Sequence, residues 1–81
     1  MKLPRDVSAS DLEKALRRAF GYGFSRQVGS HRRLVTQTVG EHHLTVPSHD
    51  PLKPGSLRGI LGEVAAHHRL AVESVLRQLD L

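Results

Sequence analysis

Two short breaks decide what residues 22–46 can become. Gly29-Ser30 separates a first run, Tyr22 to Val28, from a second, His31 to Gln37. Thr38-Val39-Gly40-Glu41 separates the second run from a third, His42 to Val46. Runs of this length between turn residues read as strands. Neither break has room for a crossover of a dozen residues, so the three strands form an antiparallel meander. A meander has one face to bury, and the chain on either side of it must supply the cover.

Both flanks read as helices. Upstream, Ser8 with Asp11 and Ser10 with Glu13 each have the spacing of a capping box, so either serine can cap a helix starting here. Leu12, Ala15, Leu16 and Ala19 then recur on one face, and Gly21 and Gly23 end the helix. Downstream, Pro47 ends the third strand, Ser48 to Lys53 is a loop, and Pro54 suits a first helical turn. Leu57, Ile60, Leu61 and Val64 mark the second helix, which ends around His67-His68. Gly59 and Gly62 lie inside it at a cost of up to about 1 kcal/mol each, so close backbone packing is the expected compensation. Val72, Val75, Leu76 and Leu79 give a third helical stretch its apolar face. The expected fold is a two-layer α+β domain spanning residues 1–81. Its order is α-β-β-β-α with an additional C-terminal helix, and its three-stranded antiparallel sheet keeps one face open.

Alternation sorts the strand residues between the faces. Leu44 and Val46 share one face, leaving His43 and Thr45 on the other. If Leu34 points inward, Arg32 and Thr36 go with it, and His31, Arg33 and Val35 occupy the open face. If Val35 is the core residue, the assignment inverts. Leu34 inward is preferred because it leaves His31 accessible.

The first turn and the strand residues around it also carry the chemistry. Arg26-Gln27-Val28-Gly29-Ser30-His31-Arg32-Arg33 sets one histidine after a Gly-Ser pair among three arginines. Histidine is the side chain suited to exchange protons near neutral pH, and arginine suits phosphate oxygens. The net charge of +4 among 81 residues favours an anionic partner such as nucleic acid. Cysteine is absent, which excludes a disulfide framework and a Cys-based zinc site. No apolar run is long enough to span a bilayer, and Met1 to Asp6 lacks the apolar region of a signal peptide. A cytoplasmic protein without a membrane contact is expected.

Three stretches together resemble the HicA toxins of bacterial and archaeal toxin–antitoxin modules. They are Gly29-Ser30-His31, Thr45-Val46-Pro47-Ser48-His49, and Lys53-Pro54-Gly55-Ser56-Leu57-Arg58-Gly59-Ile60-Leu61. Leu3 to Ser8 and the helix after it fit the same pattern, so the resemblance covers Leu3 to about Leu76. It implies a fold like the double-stranded-RNA-binding domain. It also implies a ribonuclease that cleaves messenger RNA, uses His31, and is held inactive by a HicB-type antitoxin. The chain departs from the family at Phe20-Gly21-Tyr22-Gly23-Phe24, which is longer than usual, and at Gly62 to Arg69, which holds about one extra helical turn.

RNA carries its own nucleophile in the 2′-OH, so a base, positive charge on the phosphate and a proton for the departing 5′ oxygen suffice. His31 is the candidate base. Arg26, Ser30, Arg32 and Arg33 are candidate phosphate contacts. The acid is left open between His31 itself, His49 and His43, with a backbone-bonding loop role as the plainer account of His49. No carboxylates are grouped as a two-metal nuclease requires, so neither a metal nor a small-molecule cofactor is expected. His42-His43 and His67-His68 are poor chelates, because adjacent residues on a strand or helix diverge. A second class of function fits the same charge and fold: an RNA-binding module that does not cleave. A third treats the chain mainly as an interaction partner controlled by masking.

Overall fold

The computed structural model describes residues 2–81. Six elements follow in the expected order: α1 (Ala9–Phe20), β1 (Gly23–Val28), β2 (His31–Thr36), β3 (His42–Pro47), α2 (Pro54–His68) and α3 (Val72–Leu79). The strands form one antiparallel sheet in the order β1-β2-β3. The fold is therefore the two-layer α+β arrangement read from the sequence.

Ser8, and not Ser10, caps α1: its hydroxyl accepts from the Asp11 N–H at 3.0 Å. At the other end Gly21 takes φ of 73°, a left-handed value that glycine adopts without strain. That turn lets the N–H groups of Gly21 and Tyr22 close onto the carbonyls of Arg17 and Leu16. Tyr22 consequently precedes β1 and is fully buried, where the sequence pattern had placed it in the first strand.

The core is made from the predicted apolar positions. Leu12 and Leu16 of α1, Leu34 of β2, Leu44 and Val46 of β3, Leu61 and Val64 of α2, and Val75 and Leu79 of α3 are all essentially inaccessible. Each such side chain gains roughly 1.5–3 kcal/mol on leaving water. The α3 helix packs against both α1 and α2, and those two helices also meet β3. The cover thins toward β1, whose residues are exposed after Gly23.

One expectation about α2 is corrected. A Cβ built on Gly59 or Gly62 would meet nothing within 4 Å. Close backbone packing is therefore not what compensates these glycines, and they weaken the helix without a visible return.

Candidate active site

The inward side chain of β2 is Leu34, with Thr36, so His31, Arg33 and Val35 stand on the open face. Register then fixes their neighbours. Val28, His31 and Pro47 make one cross-strand row; Arg26, Arg33 and Thr45 make the next; Val35 and His43 lie in the third. Rows on one face are two residues apart, about 7 Å. His31 is exposed and sits beside a basic row.

Arg26 reaches that row because β1 is irregular. Phe24 pairs with Leu34, yet Arg26 pairs with Arg33, so Ser25 is an extra residue in β1. An unbroken strand would put Arg26 in phase with Phe24, toward the helices. The bulge reverses the phase and re-aims the arginine outward. The two guanidinium-bearing residues are then directly opposed, with Cβ atoms about 4.5–5.5 Å apart in such pairs, an arrangement that like charges disfavour. Among the described residues neither arginine makes an ion pair. The acidic group on this face is Glu41, already hydrogen-bonded to His43 at 2.8 Å. That bond, with a second from Gln37 and the charge of His43, holds the Glu41 carboxyl below the usual range.

The structure parts Arg32 from the other candidates. Its side chain points to the helix layer, as its place beside Leu34 requires. There Nε and Nη2 donate to the two carboxylate oxygens of Glu13 at 2.6 and 3.0 Å. The guanidinium lies 4.0 Å from the centre of the Phe24 ring. The hydrogen bonds to Glu13 raise the Arg32 pKa further above its already high value. Arg32, expected beside His31 as a phosphate contact, is thus placed on the opposite side of the sheet from it: adjacent strand residues face opposite ways, and this one already holds a carboxylate.

Ser30 occupies the exposed turn before His31, and its carbonyl accepts from the Ser48 N–H at 2.9 Å. This bond ties the histidine's turn to the loop after β3. His49 lies in that loop and is held through its backbone: its N–H donates to Pro47 and its carbonyl accepts from Ala9. It shares a depression of about 470 Å³ with Arg32, Glu13 and Ser10 near the start of α1. That grouping links His49 with Arg32 more than with the open-face row.

A second constellation lies at the far end of the sheet, and it was not foreseen. The Tyr22 hydroxyl is hydrogen-bonded to His42 Nδ1 at 2.8 Å and to His68 Nε2 at 3.0 Å. His67 stacks on His42, with ring centres 4.4 Å apart and planes 11° from parallel. Burial, followed by the charge of His67, pushes the His42 and His68 pKa values down. Burial and Glu63 push the Tyr22 hydroxyl up to about 12. Inspection of each His-His pair on its own element misses a cluster assembled between elements.

Fold and site together define a small basic α+β domain that presents a histidine and two opposed arginines on an uncovered sheet face. A family model described as the HicA toxin of bacterial toxin–antitoxin systems matches residues 9–65. The chain belongs to the HicA toxin family, and with that family comes an antitoxin partner in general. No curated protein and no solved structure matches it. The matched residues include His31, Arg26 and Arg33, and stop before His67 and His68. No helix of the described residues is long and apolar enough to cross a membrane.

Proposed function

We propose that this toxin is a metal-independent endoribonuclease acting on messenger RNA in the cytoplasm, with His31 as its general base. The observation that carries this reading is the opposed Arg26–Arg33 pair, unpaired with acid among the described residues and one row from an exposed histidine. A like-charge pair of this kind is relieved by an anion, and arginine donors fit phosphate oxygens in a planar fork. With the phosphate there, the His31 imidazole takes the 2′-OH proton. The 2′ oxygen attacks phosphorus, the bond to the 5′ oxygen breaks, and the departing oxygen receives a proton. The products are a 2′,3′-cyclic phosphate and a 5′-hydroxyl. The arginines stabilise the charge that grows on the phosphoryl oxygens. His31 holds the proton it has taken and is the nearest candidate to return it. His43 is two rows away and engaged by Glu41, and His49 is the remaining candidate. A HicB-type antitoxin covering this face with acidic groups would silence the site.

One observation favours a second reading, in which the face binds RNA without cutting it. Among the described residues no hydrogen bond orients the His31 ring. A single pair of measurements separates the two readings. With wild-type protein, an RNA substrate is expected to yield 2′,3′-cyclic phosphate ends in the presence of a chelator. His31→Ala should lower the cleavage rate by about 10²–10⁴-fold and leave RNA affinity within about twofold. Binding by the wild type with no cleavage would establish the second reading, and full activity in the variant would remove His31 from the mechanism.

A further inference from the structure

The Tyr22–His42–His68 bridge takes no part in the proposed chemistry. It lies at the Thr36–His42 end of the sheet, five residues along β2 from His31, roughly 17 Å away. It joins the α1–β1 link, the first residue of β3 and the last residue of α2. His68 and its neighbour His67 fall beyond the residues that the family model matches.

Proton counting constrains this bridge. A hydroxyl has one hydrogen to give. Tyr22 donates it to one ring nitrogen and receives an N–H from the other. In either arrangement one imidazole must present a bare nitrogen to Tyr22, and so must be neutral. His67 Nε2 faces the carbonyl oxygens of Thr38 and Gly40 at 3.0 and 3.1 Å. Carbonyls only accept, so that nitrogen carries a hydrogen and fastens α2 to the hairpin between β2 and β3. The His67 ring lies flat on His42, so a charge on each would be separated by only a few ångströms.

We propose that this cluster is an acid-released latch. When the imidazole that accepts from Tyr22 takes a proton, its new N–H meets the hydroxyl hydrogen: the bond that Tyr22 donated is lost, and the hydroxyl must turn its hydrogen away from both rings. The last turn of α2 then loses its hold on β3, and the His67 N–H to the hairpin carbonyls is the tie that remains. Charged neighbours adjust the event without removing it. Glu63 on α2 favours protonated His42, while His67 on α2 and His43 on β3 oppose it. Glu41 on the hairpin is already engaged by His43. From α1 the neighbour is the Phe20 ring, 4.8 Å from His68, which offers no countercharge.

The direction of the pH effect follows from the lowered values of His42 and His68. The unfolded chain binds protons at these positions near the ordinary value of 6.5, whereas the folded protein resists until the pH is lower. The stabilisation is therefore whole above about pH 6.5 and is lost as the pH falls through the folded-state values.

An NMR titration of the histidine ring signals of the intact protein, paired with melting curves from about pH 8 to 5, tests the latch. His42 and His68 should titrate below the ordinary histidine value. Amide exchange in the last turn of α2 and at the start of β3 should rise on acidification beyond its intrinsic change with pH. The wild-type melting temperature should fall by about 5 °C or more. The double substitution His42→Asn, His68→Gln places non-titrating amides near Nδ1 and Nε2, and should flatten that fall. Midpoints at or above the ordinary value would overturn the proposal, as would a folded double variant that loses as much on acidification as the wild type. If the double variant does not fold, the wild-type titration and exchange decide the question alone.

Discussion

On the helix side of the sheet Arg32 is partnered: Glu13 receives two of its N–H groups and Phe24 lies against its plane. On the open side its chain neighbour Arg33 faces Arg26 and makes no ion pair among the described residues. The two residues have the same chemistry and opposite circumstances. A folded protein that needed both arginines only for stability would be expected to pair both. The asymmetry separates a guanidinium that closes the thin edge of the core from one left available to an outside anion. It also shows why charge counting says little about function: Arg32 and Arg33 contribute equally to the net charge of +4.

The strongest test of this contrast removes the outward pair. Arg26→Ala and Arg33→Ala together should weaken RNA binding at moderate salt by at least about tenfold. The slope of log affinity against log salt should also become shallower, by about 0.7 for each phosphate of a single strand that is no longer neutralised. Melting temperature should hold or rise slightly, since a like-charge repulsion has been relieved. Unchanged affinity would break the comparison, because the outward arginines would then be ordinary surface charge.

The reciprocal test is Arg32→Ala. Glu13 is buried and would be left with only the longer 3.5 Å approach of Arg17. A buried carboxylate deprived of its partner costs more than the pair itself was worth. The melting temperature should fall clearly, and RNA affinity should change by less than about twofold. A large drop in affinity at unchanged stability would return Arg32 to the phosphate site.

The sequence made much of this contrast legible, and the missing parts have identifiable causes. Turn residues and apolar spacing led to the six elements, because each depends on near neighbours in the chain. The choice of Leu34 as the inward residue put His31 and Arg33 on one face and already sent Arg32 to the other. Arg26 was different. Its direction depends on the bulge at Ser25, which is a property of how β1 pairs with β2 and leaves no mark in the run Phe24-Ser25-Arg26. The histidine cluster was hidden for a related reason. His42-His43 and His67-His68 diverge on their own elements, and Tyr22 reaches the core only because the helix ends in a left-handed turn at Gly21. Interactions made across elements, by residues that are unremarkable locally, are what single-chain patterns fail to display.

A smaller effect isolates the helix layer from both faces of the contrast. Gly59 and Gly62 lie within α2, with nothing within 4 Å of a Cβ built on either. Alanine there fills open space and adopts the same helical backbone, while the unfolded chain loses some of the freedom that glycine gives it. Gly59→Ala should therefore raise stability by about 0.5–1 kcal/mol, measured by denaturant unfolding, and Gly62→Ala should do the same. Neither should alter RNA affinity, because neither position lies on the open sheet face. Weaker RNA binding at undiminished stability would mean that α2 also touches the nucleic acid, and that the binding surface extends beyond the sheet to the helix that flanks it.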